Sequence, residues 1–373
     1  VNESVRDNGA RRESEAVSVI VVTHNSAGDI GLTLACVAAQ LLPGDELIVV
    51  DNGSADGTPQ TARDSGKGAK VIEQGNLGFA AGCATGAGIA HGELLFFLNP
   101  DTRLAKGALA ALREASAAHP AWWCWQPVLE LPDGAVNSAG NDVHFTGIGW
   151  AGRYGISSGQ LPEGDYAAAF ASGAALVVRH DRWRELGGME DRYFMYAEDL
   201  DLGLRTWLRG GTVGVVPAAR VTHEYEFAKG AYKWRLLERN RLATVLTVWP
   251  AGLLFAILPA LLITELALVA VAARGRWLGA LLRGWAGTLV WLPWILARRR
   301  RVQAGRAIST AEFATLLKAE PDSPFAKLPD AVAPTAGAAM RAYWRAVSAL
   351  TGRPRRRLLD NHALDHPAAD HPT

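Results

Sequence analysis

Hydrophobic positions in the first hundred residues come in short unbroken runs, each closed by a polar turn. Val17–Thr23 ends at His24-Asn25-Ser26, and Leu47–Val50 ends at Asp51-Asn52-Gly53-Ser54-Ala55-Asp56-Gly57-Thr58. Leu94–Leu98 ends at Asn99-Pro100-Asp101-Thr102. Runs rich in β-branched and aromatic residues fit strands buried on both faces, and helical stretches between them predict an α/β chain with a parallel sheet. In such sheets ligands bind beyond the carboxyl ends of the strands, which is where Asp51, Asp56 and Asp101 fall.

The pattern changes after residue 241. From Thr244 to Ala273 the only charged residue is Glu265, and Trp277 to Ala297 is interrupted only by Arg283. Each stretch is long enough to cross a bilayer. Arg239 and Arg241 on one flank and Arg298 to Arg301 on the other predict a hairpin with both outer ends in the cytosol. The competing arrangement is a pair of helices lying in the interface, favoured by Pro250, Pro259, Pro293, Gly284 and Gly287 and by the two internal charges. Trp249, Trp277, Trp285, Trp291 and Trp294 suit a belt at the headgroup level.

Composition adds boundaries. With 49% hydrophobic and 20% charged residues in 373, there is material for one large domain and an appendage. The formal net charge of +1 gives no reason to expect a nucleic-acid partner, but Arg274 to Arg301 holds seven Arg and no acid, which favours an anionic-lipid surface. Cys36, Cys83 and Cys124 lack the spacing of a disulfide framework or zinc site. The expected division is a flexible stretch over 1–16 without the apolar core of a secretory signal, a catalytic domain over 17–241, a membrane-associated hairpin over 242–301, and a tail over 302–373, helical near Met340–Leu350 and otherwise disordered.

Candidate chemistry gathers at the strand ends and in one acidic run. Asp51 and Asp56, with Thr23 and Asn25 at the first strand end, can meet a pyrimidine or ribose; an Asx-turn is the structural alternative for either carboxylate. Asn76-Leu77-Gly78-Phe79-Ala80-Ala81-Gly82 opens a helical stretch whose N–H groups can face phosphate, or whose glycines allow close packing. Asp101 can take Mg²⁺ or Mn²⁺, or cap a helix, and His223 can add an imidazole that Mn²⁺ accepts more readily. Tyr193-Phe194-Met195-Tyr196-Ala197-Glu198-Asp199-Leu200-Asp201 places three carboxylates beside aromatics, either as acid–base groups or as favourable charge at a helix start.

These pieces together resemble the GT-A fold, inverting glycosyltransferases of family 2, and particularly their bacterial rhamnosyltransferase-like branch. The resemblance covers about Val17 to Arg241 and rests on VSVIVVTHNS, DNGSADGT, NLGFAAG, LNPDT, SGAALVVRH, GGMEDRYFMYAEDLDLGLR and Thr222-His223. It implies a Rossmann-like, mostly parallel sheet flanked by helices. It also implies that Asp51 contacts the pyrimidine, Asp101 and His223 hold Mn²⁺ or Mg²⁺, and Asp199, beside Glu198, is the catalytic base. The donor implied is dTDP-L-rhamnose, with UDP-sugars as the alternative; the apolar hairpin in turn points to a polyprenyl-diphosphate-linked saccharide as acceptor at the cytoplasmic side of the plasma membrane. Trp150 and Tyr196 are candidates for the acceptor wall. Arg235, Arg239 and Arg241 either meet the acceptor's anionic head or anchor the helix to lipid.

The chain departs from the family pattern in four places. Asn99-Pro100-Asp101 leaves one carboxylate of the DxD motif, and Cys83-Ala84 stands where asparagines are common. His180 replaces an arginine, leaving Arg179 as the candidate to neutralise the diphosphate. No QxxRW follows the acidic helix, which favours addition of one sugar over processive synthesis. A polyprenyl-phosphate sugar synthase and a non-catalytic membrane scaffold are the rival readings.

Overall fold

In the computed structural model, which describes residues 15–66, 68–224, 230–321 and 333–359, the three apolar runs form adjacent strands. β1 (Val17–Thr23), β2 (Glu46–Asn52) and β3 (Lys70–Gln74) pair in parallel, linked by α1 (Ile30–Ala38) and α2 (Thr58–Ser65). β4 (Leu94–Leu98) follows α3 (Phe79–Ile89) and pairs in parallel with the other side of β1. Every residue of β1 is buried, with Ile20 and Val22 facing one core and Val19 and Val21 the other. That two-sided burial is why the run carries almost no polar alternation. The glycines of α3 serve close packing: a Cβ on Gly86 would stand 2.4 Å from Ile20, and one on Gly82 would stand 2.5 Å from Val22.

The second half of the sheet reverses direction. β5 (Thr102–Leu104), α4 (Ala108–Ala118) and β6 (Trp122–Glu130) lead through β7 (Val136–Ser138), β8 (Asn141–His144), β9 (Gly149–Ala151) and β10 (Tyr166–Ala167) to β11 (Ala175–Arg179). β11 lies between β4 and β6 and is antiparallel to both. After α5 (His180–Leu186) and α6 (Glu198–Leu208), β12 (Thr212–His223) pairs in parallel with β6 and antiparallel with β5. The large sheet therefore runs β10-β12-β6-β11-β4-β1-β2-β3. The carboxyl ends of β1, β2 and β4 and the amino end of β11 share one edge.

The C-terminal part corrects three expectations. The boundary at residue 241 falls inside α7 (Tyr232–Val248), and Trp249 just beyond it is fully buried, its indole N–H donating to the Phe145 carbonyl. The second apolar stretch is two helices, α9 (Leu278–Val290) and α10 (Leu292–Ala304), bent by 64° where Pro293 opens α10; proline fits a first turn and breaks an interior. The stretch after residue 302 is no loose tail as far as it is described. α11 (Thr310–Ala314) buries Phe313 against Trp249, β13 (Leu317–Lys318) pairs with β8 to complete a three-stranded sheet with β9, and Leu358 and Leu359 are buried. α8 (Ala251–Arg274) is the helix among the described residues that is long and apolar enough to cross a membrane, and α12 (Ala333–Leu350) packs beside it. Most of the expected flexible N-terminal stretch, and the chain end beyond residue 359, lie outside the described residues.

Candidate active site

Parallel strands deliver the first group of side chains to one shelf. Thr23 and Asp51 sit opposite each other at the ends of β1 and β2. The buried Thr23 hydroxyl has no hydrogen-bond partner among the described residues, as expected of a group that awaits a ligand. Asp51 accepts from the Gly53 and Ser54 amides and the Ser54 hydroxyl, an Asx-type turn that fixes its carboxylate at the shelf. Asp56 accepts from Ala27 N–H and from both the amide and the hydroxyl of Thr58, which hold its carboxyl below the usual range. It tethers the loop after β1 to the start of α2. Asn25, at a left-handed φ of 51°, accepts from Ala55 N–H.

His24 joins this shelf. Its Nδ1 lies 2.9 Å from the Asn52 carbonyl, so Nδ1 carries the proton and Nε2 accepts. The side-chain amides of Asn25 and Asn76 approach Nε2 at 3.3 and 3.4 Å. Asn76 also accepts from Gly78 N–H, so the turn before α3 is fastened to the end of β1.

Beside the shelf, the β5–β12 register brings His223 opposite Thr102, and His223 Nε2 lies 3.4 Å from Asp101 Oδ1. Asn137 Oδ1 faces His223 Nδ1 at 3.3 Å and thereby orients the imidazole. One carboxylate and one imidazole facing each other, the latter braced from behind, suit a divalent cation such as Mn²⁺. Among the described residues no third His, Cys, Asp or Glu completes them into a group of three.

The acidic run forms the opposite wall. Phe194, Tyr196 and Ala197 have φ of 68°, 70° and 65°, a cluster of left-handed non-glycine residues immediately before α6. Such strain persists only where surrounding structure enforces it, typically at functional sites. Asn240, fully buried on α7, supplies that enforcement: its amide lies 3.0, 3.0 and 2.8 Å from the carbonyls of Tyr193, Met195 and Tyr196. Tyr193 is clamped by a hydroxyl contact with Thr244 at 2.9 Å and by the rings of Trp291 and Trp294.

Glu198 and Asp199 emerge from this loop at the start of α6. Asp199 accepts from Gly173 N–H at 3.0 Å and Leu200 N–H at 2.7 Å. Glu198 is buried, and its Oε2 has no hydrogen-bond partner among the described residues. Burial and then the Asp199 charge push Glu198 up to about 8, and burial also raises Asp199. Of two adjacent raised carboxyls, one can stay protonated while its neighbour ionises, an arrangement able to accept a proton. The two walls are physically joined. Gly173 holds Asp199, and the next residue, Ala174, accepts from Asn99 N–H two positions before Asp101.

Other candidates are placed elsewhere. Arg179 is a correction: because β11 runs antiparallel, Arg179 pairs with Leu94 at the far sheet edge, where it donates to the Trp122 and Ser116 carbonyls and to Glu15. Trp150 sits in the small sheet opposite Asp142 with 8% exposure, as core rather than an open acceptor wall. Arg239 donates to the Tyr193 carbonyl at 3.2 Å with its guanidinium 3.9 Å over Trp291, so it braces the acidic loop. Arg241 is buried in a network with Glu238 and Glu265, leaving Arg235 as the exposed cation of that trio. Tyr196 stands at the loop, with Lys233 Nζ 5.9 Å from its ring centroid. Asp201 faces away: burial alone would raise it, but Arg205 and Arg298 outweigh that and hold it low.

Comparison with known proteins agrees with this geometry. Residues 18–129 match glycosyl transferase family 2 and residues 153–298 match glycosyl transferase family group 2. The N-acetylglucosaminyl-diphospho-decaprenol L-rhamnosyltransferase of Mycobacterium tuberculosis is 27% identical over 58% of this chain and 78% of its own. Rhamnosyltransferase WbbL of Escherichia coli is 31% identical over 22% of this chain and 34% of its own. The solved structure of GalNAc-T7 with UDP, GalNAc and Mn²⁺ superposes with a TM-score of 0.54 at 17% identity, over 64% of this chain and 49% of that one. The two family matches thus place the chain among the family 2 glycosyltransferases, and its fold is GT-A.

Proposed function

We propose that this enzyme transfers one L-rhamnose from dTDP-L-rhamnose to a polyprenyl-diphosphate-linked saccharide, with inversion, at the cytoplasmic face of the plasma membrane, for cell-envelope polysaccharide. The activity named for the mycobacterial relative supports the sugar and the acceptor class. The observation that supports the reading is the bridge through Gly173 and Ala174, which links Asp199 by hydrogen bonds to Asn99, two residues before Asp101. An acceptor hydroxyl at Asp199 and a leaving diphosphate at Asp101 fits in-line displacement.

In this reading the base of the nucleotide rests on the shelf of Thr23, Asn25 and Asp51, with Asn76 and Gly78 beside it. Asp199 takes the proton from the acceptor hydroxyl as its oxygen bonds to the anomeric carbon and the bond to the diphosphate breaks. Glu198, protonated, keeps a second negative charge away from that base. Help of this kind is worth about 10²- to 10⁴-fold in rate. Asp101 and His223 would hold the divalent ion, which when bound neutralises charge on the leaving diphosphate.

The test is sugar transfer by the purified full chain in detergent with Mn²⁺, offering dTDP- and UDP-sugars and a short polyprenyl-diphosphate-linked GlcNAc. Product from dTDP-rhamnose that vanishes in Asp199→Asn, while nucleotide binding persists, is the expected result. Equal turnover by Asp199→Asn removes the base assignment, and product from another donor alone replaces rhamnose.

A further inference from the structure

The apolar helices are tied to the rest of the chain at several points. Leu253, Ile257 and Leu261 of α8 are buried in the main core together with Trp344 and Val347 of α12, and the Tyr343 hydroxyl donates to the Ala256 carbonyl at 2.6 Å. Midway, Glu265 pairs with Arg241 of α7 and accepts from the Trp285 indole of α9 at 2.8 Å. Past its end, Trp277 stacks on Trp234 of α7 at 4.7 Å. α8 is therefore held to the core and α12 at its start, to α7 at its middle, and the chain returns to α7 through Trp277 just past its end.

α7 cannot share a bilayer interior. It carries Lys233, Arg235, Glu238, Arg239 and Arg241, and its Asn240 holds the catalytic loop. α8 is about 36 Å long at 1.5 Å per residue, so standing it across a hydrocarbon layer of about 30 Å would carry these charges and the loop inside. Uncompensated charge at that depth is strongly disfavoured.

The outward faces are of a different kind. Phe255, Ile263 and Leu266 of α8, Leu289 and Val290 of α9 and Leu296 of α10 are 51 to 80% exposed. Exposed Arg274, Arg276, Arg283 and Arg300 accompany them, and the single acid between residues 251 and 304 is the inward-paired Glu265. An apolar face with an arginine rim and no exposed acid is complementary to an anionic bilayer surface.

We infer that α8, α9 and α10 lie in the plane of the membrane as one lipid-facing plate, with the turn after Arg274 on the same side of the bilayer as the active site. The inference refines the membrane attachment proposed above, rests on packing and on the charge of the outward face, and is tested without sugar transfer. In a Cys36→Ser background, single cysteines replace Arg274 or the exposed catalytic-domain residue Lys106, and a membrane-impermeant maleimide is applied to intact spheroplasts and to inverted vesicles. Both positions should label in inverted vesicles and neither in spheroplasts. Labelling of position 274 in spheroplasts, with position 106 protected, would overturn the plate and establish a crossing. In parallel, purified protein should float with phosphatidylglycerol-containing vesicles, and Phe255→Asp with Leu266→Asp and Val290→Asp should weaken that binding about a hundredfold or more while leaving the circular dichroism spectrum unchanged. Absence of flotation by the unaltered protein, or unchanged flotation by the triple variant, would also refute it.

Discussion

The backbone oxygen of Phe194 lies 2.3 Å from where a Cβ on Gly78 would stand. Gly78, at φ 91° and ψ 170°, occupies a region essentially reserved for glycine. The turn before α3 and the strained acidic loop are thus in van der Waals contact through a missing methyl group. Gly78→Ala should push the loop away and lower kcat by about 100-fold, the usual consequence of a misplacement near 1 Å. Steady-state kinetics on folded variant check this.

Asn240 commits its amide to three carbonyls of the acidic loop. Asn240→Ala should lower kcat about 10- to 100-fold with the donor KM nearly unchanged, because the shelf after β1 and β2 is built without it. A parallel fall in nucleotide affinity would mean the whole site had collapsed.

The carboxyl pair predicts a pH signature. Glu198 is raised to about 8 and is already neutral where Asp199 ionises, so Glu198→Gln should leave the acid limb of kcat nearly in place. The stability effect has the opposite sense to an ion-paired acid. Glu198 is raised to about 8 in the fold, so its contribution is full below the unfolded value of about 4.3 and is lost as pH rises through 8. Glu198→Gln should flatten the decline in Tm between pH 5 and pH 8.

Metal binding should depend on the residue behind the ligand as well as on the ligands. Asp101→Ala and His223→Ala should abolish tight Mn²⁺ binding measured by titration calorimetry. Asn137→Ala should weaken it by about 10- to 100-fold, recoverable at high Mn²⁺. Unchanged binding in the two ligand variants would remove this pair from the metal site.

Arg298 closes two nitrogens on Asp201 at 2.8 and 2.7 Å and a third on Glu190 at 2.9 Å. Truncating one partner of a buried pair typically costs about 3 to 5 kcal/mol. Arg298→Ala should be destabilising to that extent in denaturant titration. Arg300→Ala, exposed two residues away, should stay within about 0.5 kcal/mol.

The strand-end shelf was legible because strands buried on both faces announce themselves as apolar runs and stop where the ligand edge begins. Arg179 was misplaced because an apolar run does not reveal its direction, and β11 runs antiparallel to its neighbour β4, which is itself parallel to β1. The same blindness hid the join between Ala174 and Asn99, which depends on that reversal. Four consecutive arginines read as a solvated flank, yet helical geometry turns Arg298 inward to Asp201 and Arg299 onto the carbonyls closing α7. Asn240 carried almost no signal, since an amide between two arginines looks like surface. Its role follows from three carbonyls that no periodicity predicts.

The small sheet has a temporal consequence. His144 reaches Ala319 across 175 residues, and β13 is the parallel partner of β8. A ribosome that has released the shelf, the acidic loop and all three apolar helices has therefore not yet delivered the strand that closes the domain beneath them. During synthesis α8 emerges before α11 and α12, so the contacts that cover part of its inner face form only after those later helices have been made.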